Sequence, residues 1–393
     1  MKKKLLFVID SLACAGAEKS LVTLLNLINY EKYEVDLQLF NYGGELEELV
    51  PKQVNLLPPL QYMDHVKKNL WNSLISSPLT HSMARIQYSY KLRLKKSDNI
   101  TKARLFWKSA SKVISENPVL YDSAIAYAQG VPTFYVSEKV NALKKLAWVN
   151  VSYYLKGENK IFQEKHYNKF DAVVTVSGTT KDIFTQNKLN IKGDLKVIYD
   201  INNPKMISKM ADNGEGFQDK YKGIKILTIG RLAKQKGYDI AMEACSRLKK
   251  GGLNFRWYVL GKGPLESEIK SRIKELNIEK EMILLGVKSN PYPFIKEADI
   301  YVQTSRFEGF GIALAEARML NTPIVTTRFD AVESQMKHNE NGIIVDIDPE
   351  AVYFGIKKLV EEPALREKII SYQKLEAKGN VEEINKFYEL VET

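Results

Sequence analysis

The stretch SRFEGFGIALAEA, residues 305–317, places two glutamates, Glu308 and Glu316, eight positions apart. Gly309, Phe310 and Gly311 lie between them, followed by an apolar run. Upstream, ADIYVQTS is dense in branched and aromatic residues and reads as a buried strand. Downstream, ALAEARML reads as a helix. The glycines therefore mark a tight strand-to-helix turn, whose unbonded N–H groups and positive dipole end favour an anion. Carboxylates on either side accept hydrogen bonds from vicinal hydroxyls, such as those of ribose or a pyranose. Phosphate at the turn and hydroxyls at both acids describe a sugar nucleotide.

A second constellation is GRLAKQKG, residues 230–237. Gly230 ends a strand-like run and Gly237 precedes a helix, so Arg231 and Lys236 sit in a loop at a strand's carboxyl end. Two cations there suit a diphosphate, Arg gripping oxygens in a fork and Lys acting as a mobile point charge. The order of residues excludes a Walker A loop. In LGKGPLE, residues 260–266, the glycines of Gly261-Lys262-Gly263 serve equally to pack a helix onto a sheet, and Pro264 and Glu266 favour a helix start. Asp346-Ile347-Asp348 spells D-x-D, a metal–diphosphate motif elsewhere, but it stands between a strand and Pro349 and reads as a turn and helix start. His65, His81, His166 and His338 show no ligand spacing, so no metal is expected.

The elements that must position these residues alternate between strand and helix. KLLFVID, EVDLQLF, SAIAYA, KKLAWVN, FDAVVTVS and LKVIYD read as strands of a first domain, residues 1–200, with Ser177 capping a helix. The polar segment 201–223 reads as a linker. From 224 to 376 the alternation restarts with IKILTIG, FRWYVLG, MILLG and IYVQT, followed by PIVTT and GIIVD. Such alternation predicts parallel sheets with right-handed crossovers, in two open α/β domains that bind ligand at the carboxyl ends of their strands.

Composition narrows the function classes. The 393 residues are 45% hydrophobic, which suits two globular domains. No window holds some twenty apolar residues, so no transmembrane helix is expected. MKKKLLFVIDSLACAG mimics a signal peptide, but Asp10 interrupts its apolar run and a first strand fits better. Two cysteines, Cys14 and Cys245, give no disulfide framework and point to a reducing cytoplasm. The formal charge of +11 asks for an anionic partner. The excess gathers from Val66 to Val113 in Lys67, Lys68, Arg85, Lys91, Arg93, Lys95, Lys96, Lys102, Arg104, Lys108 and Lys112, with Asp98 the one acid. Trp71, Tyr88, Tyr90, Phe106 and Trp107 are interleaved. This composition fits a solvated helical face or an anionic membrane surface, with Trp71, Phe106 and Trp107 either inserting or buried in the core. No RNA- or DNA-binding motif accompanies it.

GRLAKQKG, LGKGPLE, NPYPFIKEADIYVQTSRFEGFGIALAEA and NGIIVD, in this order, resemble the family-4 retaining glycosyltransferases of bacterial polysaccharide biosynthesis. The resemblance implies a GT-B fold, two Rossmann-like domains facing a central cleft, with a last helix in 377–393 crossing back to the first domain. It implies that Arg231 and Lys236 bind the donor diphosphate and that Glu308 contacts the transferred sugar. Phe310, Gly311 and Ile312 would meet phosphate and sugar through their backbone, Glu316 would accept from the ribose, and Gly286-Val287 would border the base. Ala15-Gly16-Ala17-Glu18 resembles the family's GGxE loop beside the donor, with Ala15 replacing a glycine. Where many members carry a histidine, AWVNVSYY has Asn150, which hydrogen-bonds but carries no proton at neutral pH.

The implied activity is transfer of a hexosyl or N-acetylhexosaminyl group, with retention, from a UDP-sugar to a lipid-linked saccharide. The setting would be capsule or cell-wall synthesis, in a cytoplasmic protein peripheral to the plasma membrane. Arg231, Lys236 and the helix dipole would stabilise the leaving diphosphate without metal. Three alternatives stay open: a non-catalytic partner of an active transferase, motivated by Asn150; a transferase with a protein acceptor; and a Rossmann oxidoreductase. The last is weakened by the missing G-x-G-x-x-G after the first strand.

Overall fold

The computed structural model describes residues 2–13, 16–67, 78–94, 98–151, 153–308 and 310–392. Cys14, Ala15, Lys68, Trp71, Lys95, Lys96 and Gly309, named above, lie outside them. The chain divides into two units, residues 1–201 with 382–393, and residues 202–381.

The first unit holds a parallel sheet in the order β3-β2-β1-β4-β5-β6-β7. Its strands are β1 (Lys3–Ile9), β2 (Tyr33–Leu39), β3 (Val54–Leu56), β4 (Asn117–Ala126), β5 (Val140–Val149), β6 (Ala172–Thr175) and β7 (Asp194–Val197). A sheet covered on both faces needs continuously apolar strands, and the period of two divides them between two cores. Leu5, Phe7 and Ile9 of β1 enter one core with Leu146 and Trp148 of β5. Leu6 and Val8 enter the other with Ala147 and Val149. The terminal helix Glu383–Glu392 packs on the first of these cores through Phe387 and Val391. Phe387 stacks on Phe7 at 5.8 Å between ring centroids. Lys3 Nζ donates to the carbonyls of Val391 and Glu392 at 3.3 and 3.2 Å, a cation on a helix C-terminus.

The second unit repeats the plan in the order β10-β9-β8-β11-β12-β13, all parallel. Its strands are β8 (Ile224–Ile229), β9 (Phe255–Leu260), β10 (Met282–Gly286), β11 (Ile300–Gln303), β12 (Ile324–Thr327) and β13 (Ile343–Val345). Ile226, Trp257, Val259, Ile300 and Val302 face one core, and Leu227, Tyr258, Leu260 and Tyr301 face the other. Asp348 caps the helix Pro349–Glu361, accepting from the N–H groups of Glu350 and Ala351 at 2.8 and 2.9 Å.

One expectation needs correction and one open alternative is resolved. The segment 201–223 is not simply a linker, for it contains the helix Pro204–Asp212. Asn203 caps this helix, accepting from Met206 N–H at 3.2 Å, and Ile207 and Ala211 are buried in the second unit's core. One short i, i+4 pair in a polar stretch is too small a periodic signal to read from sequence. In the basic region, Trp107 does not face outward. It is 1% exposed and donates Nε1–H to Glu138 Oε2 at 2.9 Å. Phe106 is half-buried, edge-on to Tyr88. Arg104 is buried and pairs with the exposed Glu158 and with Asn159 Oδ1, so part of the cationic excess is answered within the unit.

Candidate functional site

In the second unit the strand order reverses between β8 and β11, and the loops leaving those neighbours open a crevice at their carboxyl ends. The two sequence constellations are these loops. After β8 the chain runs through Gly230 and Arg231 to a single 3-10 turn, Lys234–Lys236, and then Gly237. Gly237 has φ +63°, and a Cβ there would stand 2.0 Å from the Thr304 carbonyl oxygen, so only glycine fits. Thr304 Oγ1 donates to the Lys236 carbonyl at 2.9 Å, and Arg306 N–H to the Gln235 carbonyl at 2.8 Å. Arg306 also forms a forked pair with Asp239 at 2.8 and 2.6 Å. These bonds fix one loop against the other.

That stitching brings Lys236 to Glu308. The Lys236 ammonium donates to Glu308 Oε1, with the side chains 20% and 9% exposed. Ser305 Oγ donates to the same oxygen at 2.7 Å and Gln303 Nε2 at 3.3 Å. Gln303 is itself held by the Tyr301 hydroxyl at 3.1 Å. Burial, then the charges of Glu316 and Glu308, keep that hydroxyl protonated. Glu308 Oε2 has no partner among the described residues. Arg231 is exposed and has no ion pair among the described residues. The site therefore offers a preset acceptor oxygen and an uncommitted guanidinium.

Gly311, at φ +83°, is the residue before the helix Ile312–Met319, and Gln335 Nε2 donates to the Phe310 carbonyl behind it. Glu316 lies in that helix, 2% exposed, and its Oε1 accepts from the Tyr292 hydroxyl at 2.9 Å. Gly286 ends β10, its carbonyl accepting from Gly261 N–H at 2.8 Å, and Val287 follows, half-buried. Gly261 has φ +148°, and a Cβ on it would meet the Gly230 carbonyl at 2.0 Å. The Gly261 turn thus lets two backbones approach and props the loop that carries Arg231. Gln303, Ser305, Tyr292 and Gln335 escaped the sequence reading. The polar triplet Gln303-Thr304-Ser305, closing an apolar strand, was the available signal for the first two.

Gly16 and Asn150 belong to the first unit. Gly16 opens the helix Gly16–Leu27. Asn150 follows β5, where its N–H donates to Gln129 Oε1 at 3.1 Å and its Nδ2 to the Tyr127 carbonyl at 2.6 Å. Asn150 Oδ1 is buried without a hydrogen bond among the described residues. The same unit also holds acids that resist ionising. Burial, aided by the charge of Glu18, pushes Asp10 up to about 7. Burial also raises Glu18 to about 7, and Asp200 to about 6 against a lowering bond from Ser20. Ser20 and Tyr127 hydroxyls meet at 2.9 Å. Among the described residues no three His, Cys, Asp or Glu side chains are arranged to hold a metal ion.

Residues 213–376 match the family described as Glycosyl transferases group 1. The second unit is a group 1 glycosyl transferase domain. The glycosyl transferase domain and the strand-rich first unit together are similar to solved GT-B proteins along their whole length. A mutant of S. aureus TarM, solved with fondaparinux, alpha-GlcNAc-glycerol and UDP, superposes with a TM-score of 0.69 at 14% identity, covering 100% of both chains. Anabaena HepE, solved with UDP and glucose, gives 0.63 at 17% identity over 98% of each. The fold is GT-B, two Rossmann-like parallel-sheet domains.

Among curated relatives, an N-acetylgalactosamine-N,N'-diacetylbacillosaminyl-diphospho-undecaprenol 4-alpha-N-acetylgalactosaminyltransferase of Campylobacter jejuni is 28% identical over 223 residues. That match spans 56% of this chain and 59% of the relative. The amylovoran biosynthesis glycosyltransferase AmsK of Erwinia amylovora is 31% identical over 149 residues, 35% of this chain and 37% of AmsK. The chain thus spans little more than half the length, or less, of these curated relatives.

Proposed function

We propose that the chain is a retaining glycosyltransferase that moves a sugar from a UDP-sugar to a lipid-linked saccharide, in synthesis of a capsule or cell-wall polymer. The carrying observation is the Lys236–Glu308 pair beside the glycine turn at the β8/β11 reversal. Arg231, Lys236 and the N-terminus of the helix Ile312–Met319 receive the diphosphate. Phe310, Gly311 and Ile312 lend backbone groups, Gly286 and Val287 border the base, and Glu316 serves the ribose. Glu308 Oε2 accepts from a hydroxyl of the transferred sugar, its direction set by the three donors on Oε1.

As the bond from sugar C1 to the diphosphate breaks, the cations take up its charge, and a bond from the acceptor oxygen to C1 forms on the same face. The acceptor proton passes to the leaving diphosphate, so Asn150, which cannot carry it, need only hydrogen-bond. No metal enters this scheme. The diphospho-undecaprenol in the Campylobacter relative's name supports a lipid-linked acceptor, and UDP in the structural neighbours supports the donor. Such an acceptor places the protein at the cytoplasmic face of the plasma membrane, with the cationic 66–113 region toward anionic lipid.

A screen of UDP-sugars, with UDP release measured against lipid-linked saccharide, tests the reading. One donor is expected to turn over, with EDTA leaving the rate intact. UDP binding without turnover of any donor favours the non-catalytic partner, for which Asn150 is the motive. Loss of activity on chelation overturns the metal-free scheme.

A further inference from the structure

The peptide joining Phe310 to Gly311 stands at the head of the helix Ile312–Met319. It is trans, so its C=O and N–H point in opposite directions. Gly311, at φ +83°, gives this peptide little steric preference for either orientation, because glycine takes positive and negative φ about equally. Whatever fixes the Phe310 carbonyl therefore also fixes the direction of the Gly311 N–H. That N–H makes no hydrogen bond among the described residues.

One side chain fixes the carbonyl. Gln335, which follows the 3-10 turn Val332–Ser334, is 7% exposed, and its Nε2 donates to the Phe310 carbonyl. A Cβ on Gly311 would stand 3.4 Å from Gln335 Nε2 and 3.5 Å from Phe329 Cζ, so both side chains pack against the turn. Gln335 Oε1 is buried without a hydrogen bond among the described residues. An amide buried with one end unpaired is a poor choice for packing alone, since an apolar side chain of similar length would avoid the desolvation. What the amide adds is its one bond to the turn.

Gln335 is itself held in place. Its carbonyl accepts from Asn341 Nδ2 at 3.0 Å, and Asn341, 2% exposed, takes the Lys337 N–H on its Oδ1 at 2.7 Å. The same Nδ2 donates to Glu376 Oε2 at 3.2 Å. Glu376 also accepts a fork from Arg318, Nε to Oε1 at 3.2 Å and a terminal nitrogen to Oε2 at 3.0 Å. Arg318 belongs to the last turn of the helix that the glycine turn begins. One carboxylate thus ties the far end of that helix to the residues that hold its head.

We infer that Gln335 is a positioning residue for the donor diphosphate: by holding the Phe310 carbonyl on one side of the turn, it presents the Gly311 N–H to phosphate on the other. Gln335 touches no substrate atom and acts through the Phe310–Gly311 peptide. The inference rests on the reading that this turn receives the diphosphate, and it adds the residue that sets the turn's orientation.

The test compares UDP, by calorimetry, with uridine, by NMR titration, on the full chain. The proteins are the parent, Gln335→Met and Gln335→Glu. Met keeps the length and loses the donor, while Glu keeps the shape and offers only acceptors when ionised. Both variants should bind UDP about tenfold more weakly, the effect of losing one hydrogen bond to a charged group. Both should bind uridine as the parent does, because uridine has no phosphate to meet the turn. Gln335→Met should melt close to the parent, since it removes the unpaired oxygen together with the bond. Unchanged UDP affinity in both variants, or UDP and uridine affinities that fall together, overturns the inference and leaves the donor site to be judged by Arg231→Ala. A parent that binds no UDP overturns the reading on which the inference rests, and the inference with it.

Discussion

The carboxyl edges of the two sheets invite comparison. Both units reverse strand order at the same place in their topology, between β1 and β4 and between β8 and β11. Both therefore open a crevice by the same rule. At the second unit's edge stand Lys236, Arg231 and a glycine turn that starts a helix, all suited to an anion. At the first unit's edge stand Asp10, Glu18, Asp200 and the Oδ1 of Asn150, which has no hydrogen bond among the described residues; each accepts hydrogen bonds or resists ionising. Repeating a topology repeats the position of a site and leaves its chemistry to the residues after each strand. In the proposed transfer, the cationic edge suits the donor diphosphate and the acceptor-rich edge suits hydroxyl groups.

The largest effects should come from the ion pair at the cationic edge. Lys236→Ala should lower kcat/KM for transfer roughly a hundred-fold, since it removes a charge-assisted contact and leaves Glu308 with only neutral donors. Glu308→Gln should lower kcat by a similar order while UDP affinity, read by calorimetry, stays within about twofold. Parent-like turnover in both would break the assignment of this edge to the reacting sugar and diphosphate.

Arg231 and Glu316 sharpen the contrast between an uncommitted and a committed group. Arg231→Ala should weaken UDP binding about tenfold with no change in thermal stability, because it has no ion pair to lose among the described residues. Glu316→Gln should also weaken UDP binding, and should in addition cost about 1 kcal/mol of stability by disturbing the buried bond from Tyr292. A stability loss in Arg231→Ala would mean that the guanidinium is structural.

The effect at the acidic edge falls on stability, not turnover, and has a definite sign. Asp10 is raised from 3.8 to about 7, so its contribution to stability is present below about pH 4 and is lost as the pH rises through about 7. Asp10→Asn should therefore stabilise the protein at pH 8, by about 1–3 kcal/mol, and hardly at all at pH 4. Thermal melts at the two values measure the difference. Equal shifts at both would mean that Asp10 is not held against ionisation and that the two edges are less different than they look.

The strand–helix alternation and the two loop motifs were legible because each is a local pattern. An apolar strand, a glycine turn and a periodic helix all fit within the eighteen residues of IYVQTSRFEGFGIALAEA. The helix Pro204–Asp212 was hidden because its signal is two side chains, Ile207 and Ala211, whose meaning depends on a core made elsewhere in the chain. Trp107 was ambiguous for the same reason, until its partner Glu138, thirty-one residues on, was known.

Sequence by itself determined which groups are present after each strand: Arg231 and Lys236 after β8, Glu308 and the glycine turn after β11, Asp10 after β1, Asn150 after β5. Tertiary structure decided which of them meet. Lys236 and Glu308 are seventy-two residues apart, and they pair because β8 and β11 are hydrogen-bonded neighbours and Gly237 admits the Thr304 carbonyl. It also decided which acids are held from ionising, since burial is set by the whole packed unit and no local spacing encodes it.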